Sequence, residues 1–171
     1  MPYKKHKQYR LYGYDYSQNG AYFITIVTKN RIHYFGEIVN GEMQLSPIGK
    51  FVEENFSIIS DKIKYLQIDE WEILPNHLHL IVSILNKNTE YTPAFGLQPL
   101  VKKSVSSFIN HLKGTIKRWC NENNFENFAW QARFHDRIIR DAKEYSNISN
   151  YIQKNVENWD MDNEIFGMNT P

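Results

Sequence analysis

Two apolar runs separated by a two-residue turn constrain the fold of this chain more than any other feature. The runs YLQIDEWEIL (65–74) and HLHLIVSIL (77–85) have the β-branched and aromatic content of strands. Only Pro75 and Asn76, residues typical of turns, lie between them. Because so short a connection joins antiparallel neighbours, the segment predicts a β-hairpin.

The other predicted elements place this hairpin in an α+β domain. They are a strand at 21–28, a hairpin at 32–45 turning at Asn40-Gly41, a helix from Ser46-Pro47 to about Ser60, a helix from Leu100 to Trp119, extended structure at 129–139 and a helix from Ala142 to about Val156. This order predicts an antiparallel sheet with helices packed on it, close to a ferredoxin-like or RRM-like plan. One domain covers 1–171, with a basic arm at 1–15, a loop at 86–98 and an acidic tail at 157–171.

Charge is distributed unevenly, although the net charge of the 171 residues is only +1. The segment 73–121 contains six basic residues and one acid. Five of those bases are candidates for contacting nucleic-acid phosphates: Lys102, Lys103, Lys113, Lys117 and Arg118. The alternative is a solvated helix face, and charge alone does not decide between them.

The location expected from the sequence is the cytoplasm. The basic, polar start of the chain is unlike a secretory signal, and no apolar run approaches the length of a membrane span. A lone cysteine, Cys120, excludes an internal disulfide and suits a reducing compartment.

The sharpest chemical motif is PNHLHLIV (75–82). Alternate side chains of a strand share a face, so His77 and His79 point one way while Leu78 and Leu80 point into the core. Two imidazoles so placed can converge on one divalent ion, with at least one more ligand supplied from elsewhere. The alternative is a pair of histidines on a half-exposed strand.

PNHLHLIV resembles the His-hydrophobe-His motif of the IS200-like, single-tyrosine (HUH-type) transposases, including the REP-associated tyrosine transposases. Three more segments resemble that family in the same order: RLYGYDYSQNGAYFITIVTKNRIHYFG at 10–36, WQARFHDRIIRD at 130–141 and YIQKN at 151–155. Each motif is weak alone, but four in order over about 150 residues are a strong signal.

The resemblance implies roles for individual residues. His77 and His79 match the metal-binding pair, Tyr151 on the last helix matches the nucleophile, and Asn155 matches the third metal ligand. Asn155 lies four residues after Tyr151 and so on the same helical face. Val156 departs from the family, which usually has Pro at this position to end the helix. Valine in place of this Pro predicts a longer helix.

The implied reaction is metal-dependent cleavage and rejoining of single-stranded DNA beside a hairpin, through a 5′-phosphotyrosine. A metal on a phosphate oxygen would neutralise charge and orient the phosphorus, and imidazole with oxygen ligands suits Mg²⁺ or Mn²⁺. The resemblance leaves open whether the chain is a monomer or a homodimer. It also predicts association with the nucleoid during the reaction.

Several alternatives remain at the level of the sequence. Tyr151 could be a core aromatic, with Tyr145 as a second candidate nucleophile. Arg133, Arg137 and Arg140 could clamp phosphates, or pair with Asp136 and Asp141. The whole chain could instead be a non-catalytic nucleic-acid-binding module, or a metal-dependent phosphodiesterase that uses water in place of Tyr151.

Overall fold

The computed structural model describes residues 14–85 and 102–159. Most of the predicted basic arm, the loop at 86–98 and nearly all of the acidic tail lie outside these residues. The described elements are β1 (Gly20–Val27), β2 (Gly36–Val39), β3 (Glu42–Leu45), α1 (Pro47–Lys62), β4 (Leu66–Leu74), β5 (His77–Ile84), α2 (Val105–Glu122), β6 (His135–Ile139) and α3 (Ala142–Lys154).

The predicted α+β fold is confirmed. Four antiparallel strands form a sheet in the order β4-β5-β1-β6. Helix α1 forms a crossover between β1 and β4, and β5 lies between these two strands in the sheet. This is the strand order of a ferredoxin-like sheet, while β2 and β3 form a separate hairpin.

Local sequence signals set the ends of the helices. The Ser46 hydroxyl accepts a hydrogen bond from the Gly49 N–H, so it caps α1, and Pro47 occupies the first turn as predicted. The Asp141 carboxylate caps α3 in the same way, through the Glu144 N–H. The second helix begins at Val105, later than its periodicity predicts, after the Ser104 cap.

The two faces of the sheet are covered by different helices. The side chains of Tyr22, Ile24, Leu78 and Leu80 are fully buried on what we call the core face, where α1 and α2 pack. On the opposite face, here named the site face, α3 packs through Ile148 and Ile152 against Ile81, Phe23 and Ile139. Because strand side chains alternate, His77 and His79 lie on the site face, beneath α3.

Only part of the predicted extended segment 129–139 is a strand. Trp130 makes an isolated bridge to Thr28, and regular pairing with β1 begins at His135.

No helix in the two described ranges combines the length and apolar character needed to cross a membrane.

Candidate active site

His77 and His79 meet through their Nε2 atoms, which lie 3.1 Å apart. Their rings are nearly perpendicular, with centroids 4.6 Å apart. Strand alternation accounts for the arrangement, since the intervening Leu78 is fully buried on the core face. His79 is also buried, at 4% exposure, because α3 covers the site face. The sequence pattern predicted that the two histidines share a face, but not that α3 covers that face.

The other ring nitrogen of each histidine is held by a neighbouring side chain. Nδ1 of His79 is 2.9 Å from the hydroxyl of Thr25, its cross-strand partner on β1. Nδ1 of His77 is 2.7 Å from Oδ1 of Asn76, whose amide nitrogen donates to the Arg31 carbonyl. Such contacts fix the orientation of an imidazole ring and leave its Nε2 to serve as a ligand.

Burial keeps both imidazoles uncharged. It lowers the pKa of His79 to about 4. The pKa of His77 also lies well below its usual range, first because of burial, then because of His79 and the Arg31 guanidinium. Both rings are therefore neutral at pH 7, the protonation state in which an imidazole nitrogen binds a metal.

The separation of the two Nε2 atoms fits a hydrogen bond between the rings, and it also fits two nitrogens that contact one divalent ion. Ligands at right angles, each about 2.1 Å from the ion, are about 3.0 Å apart, which agrees with the observed 3.1 Å. Within residues 14–85 and 102–159, no three His, Cys, Asp or Glu side chains are grouped to hold a metal ion. If the pair holds an ion, any third ligand from the described residues is of another kind, such as an amide oxygen.

Tyr151 stands beside this pair on α3. Its ring centroid is 5.5 Å from that of His79, with the planes at 62°, and 6.2 Å from that of Phe23. Its side chain is 43% exposed, so the alternative of a core aromatic is wrong. Tyr145, the second candidate, is half-buried against Ile81 and Ile148, and burial raises its pKa.

Asn155 lies one turn after Tyr151, at the C-terminal end of α3. Its amide nitrogen donates to the Tyr151 carbonyl at 3.0 Å, and the side chain is buried. The bond commits Nδ2 to the helix, so Oδ1 is the atom that remains to bind a cation. The regular helix ends at Lys154, so it does not extend through Val156 as predicted. Separate turns follow it, with the Asn158 N–H bonded to the Lys154 carbonyl and the Trp159 N–H to the Val156 carbonyl.

The predicted basic residues divide between the two faces. Lys113, Lys117 and Arg118 belong to α2, which packs on the core face, across the sheet from the histidines. Lys102 and Lys103 come just before the start of this helix. The Lys117 ammonium donates to the carbonyls of Glu126 and Phe128, and the Lys113 ammonium to that of Gln131. These two lysines therefore hold the 126–131 segment on α2.

Of the three arginines on or next to β6, Arg137 and Arg140 line the same pocket as Tyr151. Arg137 is the cross-strand partner of Phe23, which puts it on the site face. It forms an ion pair with Glu144 at 2.6 Å, an acid that the sequence analysis did not name as its partner. Arg140 follows the same strand, while the exposed Arg133 precedes it.

Sequence reasoning missed two residues beside the histidines. The Trp159 ring stacks on His77 with centroids 5.8 Å apart and planes at 27°. Arg31 lies close enough to lower the pKa of His77, in a turn where both Asn30 and Arg31 have positive φ. No local motif marks either residue, because each reaches the site through a turn that periodicity does not describe.

Comparison with known proteins shows which proteins share sequence or fold with this chain. No family model matches the chain. A Haemophilus influenzae protein described only as uncharacterized is 34% identical over 160 residues, which cover 90% of this chain and 89% of that protein. The solved structure of a REP-associated tyrosine transposase bound to a REP hairpin matches with a TM-score of 0.58 and 22% identity, over 85% of this chain and 72% of the other. A proposed transposase from Deinococcus radiodurans R1 matches with a TM-score of 0.48 and 15% identity, over 85% and 95% of the two chains.

Proposed function

This chain belongs to the family of the uncharacterized Haemophilus influenzae protein, and we propose that it is a metal-dependent transposase of the IS200-like, single-tyrosine type. In this proposal it cuts and rejoins single-stranded DNA. The fold shared with the REP-associated tyrosine transposase supports the proposal, and so do the four sequence motifs in order.

The observation that carries the proposal is the position of Tyr151 beside the histidine pair. Tyr151 is 43% exposed, and its ring centroid is 5.5 Å from that of the buried His79. Nε2 of His79 is in turn 3.1 Å from Nε2 of His77. A tyrosine hydroxyl that substrate can reach, next to two neutral imidazoles, supports the roles of nucleophile and metal ligands in this proposal.

In the proposed reaction the Tyr151 oxygen attacks a backbone phosphorus of the DNA. The bond from Oη to phosphorus forms as the bond from phosphorus to the 3′ oxygen breaks, and the 3′ oxygen gains a proton while the phenol loses one. The products are a 5′-phosphotyrosine and a free 3′-OH. Attack of a 3′-OH on the phosphotyrosine reverses these changes and rejoins a strand, so no ATP is required.

His77 and His79, with Oδ1 of Asn155, would hold the divalent ion. When bound, Mg²⁺ or Mn²⁺ would neutralise the charge on the phosphate and fix its orientation. Thr25 and Asn76 keep the two rings oriented for this role through their bonds to Nδ1. Trp159 and α3 exclude water from one side of the pair.

The proposed substrate is a single strand next to a hairpin. This follows the solved relative, which is bound to a REP hairpin. Contacts to the DNA backbone near the cut are assigned to Arg133, Arg137 and Arg140. The basic residues on and before α2 are assigned to a more distant part of the strand.

A denaturing gel tests the proposal directly. Labelled single-stranded hairpins from the flanks of the gene are incubated with Mn²⁺ and the wild-type protein, Tyr151→Phe, His77→Ala or the control Tyr145→Phe. We expect label to remain on the wild-type and Tyr145→Phe proteins and to be absent from the other two. Cleavage without an adduct would replace this proposal with the water-using phosphodiesterase, and binding with neither would replace it with a non-catalytic module.

A further inference from the structure

A cavity lies between β6 and α3, with Tyr151 among the residues that line it. Its volume is about 650 Å³, within the range of roughly 300–1,000 Å³ that is usual for small-molecule sites. The residues that line it are Phe23, Arg137, Arg140, Asp141, Lys143, Glu144, Asn147, Ile148 and Tyr151. The two histidines are not among them, so the cavity adjoins the candidate metal site without containing it.

Phe23 gives the cavity an aromatic surface. The ring is half-buried on β1, and its centroid is 5.1 Å from that of His79, with planes at 30°. Tyr151 stands edge-on to it, with planes at 89°. A flat ring held by its neighbours on a strand is a rigid platform for stacking, and every nucleobase has a face that can stack on it.

The rim of the cavity is positive. Arg137, Arg140 and Lys143 contribute three cationic side chains against the acids Asp141 and Glu144, so the lining has a net charge of +1. Arg137 is paired with Glu144, which leaves Arg140 and Lys143 as the cations outside that ion pair. The Asp141 carboxylate caps α3, and the Glu144 carboxylate accepts hydrogen bonds from the Arg137 side chain and the Arg140 N–H. Lys143 is exposed at the start of α3, where the helix dipole also favours an anion.

We propose that this cavity holds the nucleotide that adjoins the scissile phosphate, with its base stacked on Phe23 and its other phosphate at Lys143 and Arg140. The assignment rests on the proposed function, since Tyr151 supplies the reacting oxygen at the edge of the cavity. Asn147 on the wall has both donor and acceptor groups, which can bond the edge of a base. The cavity would therefore position the strand and favour particular bases next to the cut.

The test measures binding without catalysis. The probe is a short single-stranded DNA randomised at every position except one central 2-aminopurine, whose fluorescence falls when the base stacks. Binding is measured in EDTA, so that neither cleavage nor metal binding contributes. The variants are Phe23→Leu, which removes the ring but keeps an apolar side chain, and Lys143→Ala; Lys50→Ala on α1 is the matched control because α1 packs on the core face.

We expect the wild-type protein to quench the probe and Phe23→Leu to abolish the quench and weaken binding about 5- to 150-fold, the effect of losing one stacked base. Lys143→Ala should reduce the slope of log K against log salt by about 0.7, the loss of one phosphate contact on a single strand. The Lys50→Ala control should bind as wild type does. Equal quenching and equal affinity in all four proteins would overturn the assignment.

The adduct gel on the same variants separates this inference from the proposed function. If the Tyr151 adduct forms while Phe23→Leu and Lys143→Ala bind DNA like wild type, the strand takes another path and the inference is wrong, but the proposed function stands. If binding depends on Phe23 and no adduct forms on any strand tested, the cavity binds a nucleotide, and the catalytic proposal fails. Circular dichroism melts check that each variant is folded.

Discussion

Nε2 of His77 and Nε2 of His79 lie 3.1 Å apart on the site face. Nδ1 of His79 contacts the Thr25 hydroxyl, and Nδ1 of His77 contacts the Asn76 amide oxygen. Without an ion, a single proton between the two nitrogens can satisfy both. With an ion, both nitrogens must present lone pairs to it, so Nδ1 of each ring must carry the proton. The partners of Nδ1 therefore influence how readily the pair binds a metal.

Thr25→Val should weaken metal binding while preserving the fold. Valine keeps the shape of threonine but removes the hydroxyl that contacts Nδ1 of His79. Loss of such an orienting contact costs about 10- to 100-fold in affinity, measurable by isothermal titration with Mn²⁺. Thr115→Val on α2, away from the histidines, is the matched control and should bind like wild type. Equal affinities for the two variants would show that Thr25 does not orient the ligand.

The stability of the metal-free protein should fall in acid. The pKa of His79 is about 4 in the folded chain, compared with about 6.5 when unfolded. Between these values the unfolded chain binds more protons, so the free energy of unfolding decreases as the pH falls from 6.5 towards 4 and this contribution is complete above 6.5. His77 acts in the same direction.

Urea melts across this pH window measure the effect. The double variant His77→Gln/His79→Gln should have a shallower decline than wild type, whereas His111→Gln, at an exposed site on α2, should not. A decline of equal steepness in the double variant would place the acid sensitivity in other groups.

Trp159 should report metal binding through its fluorescence. Its ring stacks on His77 at 5.8 Å, and a paramagnetic ion such as Co²⁺ held by that histidine would quench a tryptophan so close. Titration with Co²⁺ should quench part of the wild-type emission. The quench should vanish in Trp159→Phe and persist in Trp119→Phe, which alters a ring packed against Phe51 on the core side. A quench that persists in Trp159→Phe and vanishes in Trp119→Phe would show that the ion is not bound at His77.

Two helical glycines should respond in opposite ways to alanine. A Cβ on Gly49 would lie 2.2 Å from the Phe35 carbonyl oxygen, so Gly49→Ala forces backbone apart and should cost roughly 1–3 kcal/mol. Gly114 on α2 has open space around it, and Gly114→Ala should stabilise by about 0.5–1 kcal/mol. Thermal melts of both variants measure the two changes in stability, and destabilisation by Gly114→Ala would contradict the prediction.

The elements of the fold were predictable because their signals are local. The Pro75-Asn76 turn, the helix start at Ser46-Pro47 and the alternation through His77 and His79 depend on neighbours in sequence, and the structure has each of them. The positions of α2 and of Lys117 could not be predicted in this way. Which face a helix covers, and which carbonyls a lysine reaches, depend on contacts between distant segments.

The candidate site was predictable only in part for the same reason. The His pair is visible because strand alternation fixes it, but the closeness of Tyr151 to His79 requires α3 to cross the sheet at one position. The cavity beside Phe23 and the stacking of Trp159 on His77 arise from that crossing, and no residue pattern encodes it.

The central claim is that the oxygen of Tyr151 forms the bond to DNA. Trypsin should release a peptide spanning residues 144–154, which contains both candidate tyrosines, Tyr145 and Tyr151. Tandem mass spectrometry of this peptide, after reaction with a hairpin strand and nuclease trimming, shows which ring carries the nucleotide. We predict a 5′-linked nucleotide on Tyr151 alone; a nucleotide on Tyr145, or cleaved DNA with an unmodified peptide, would contradict the claim.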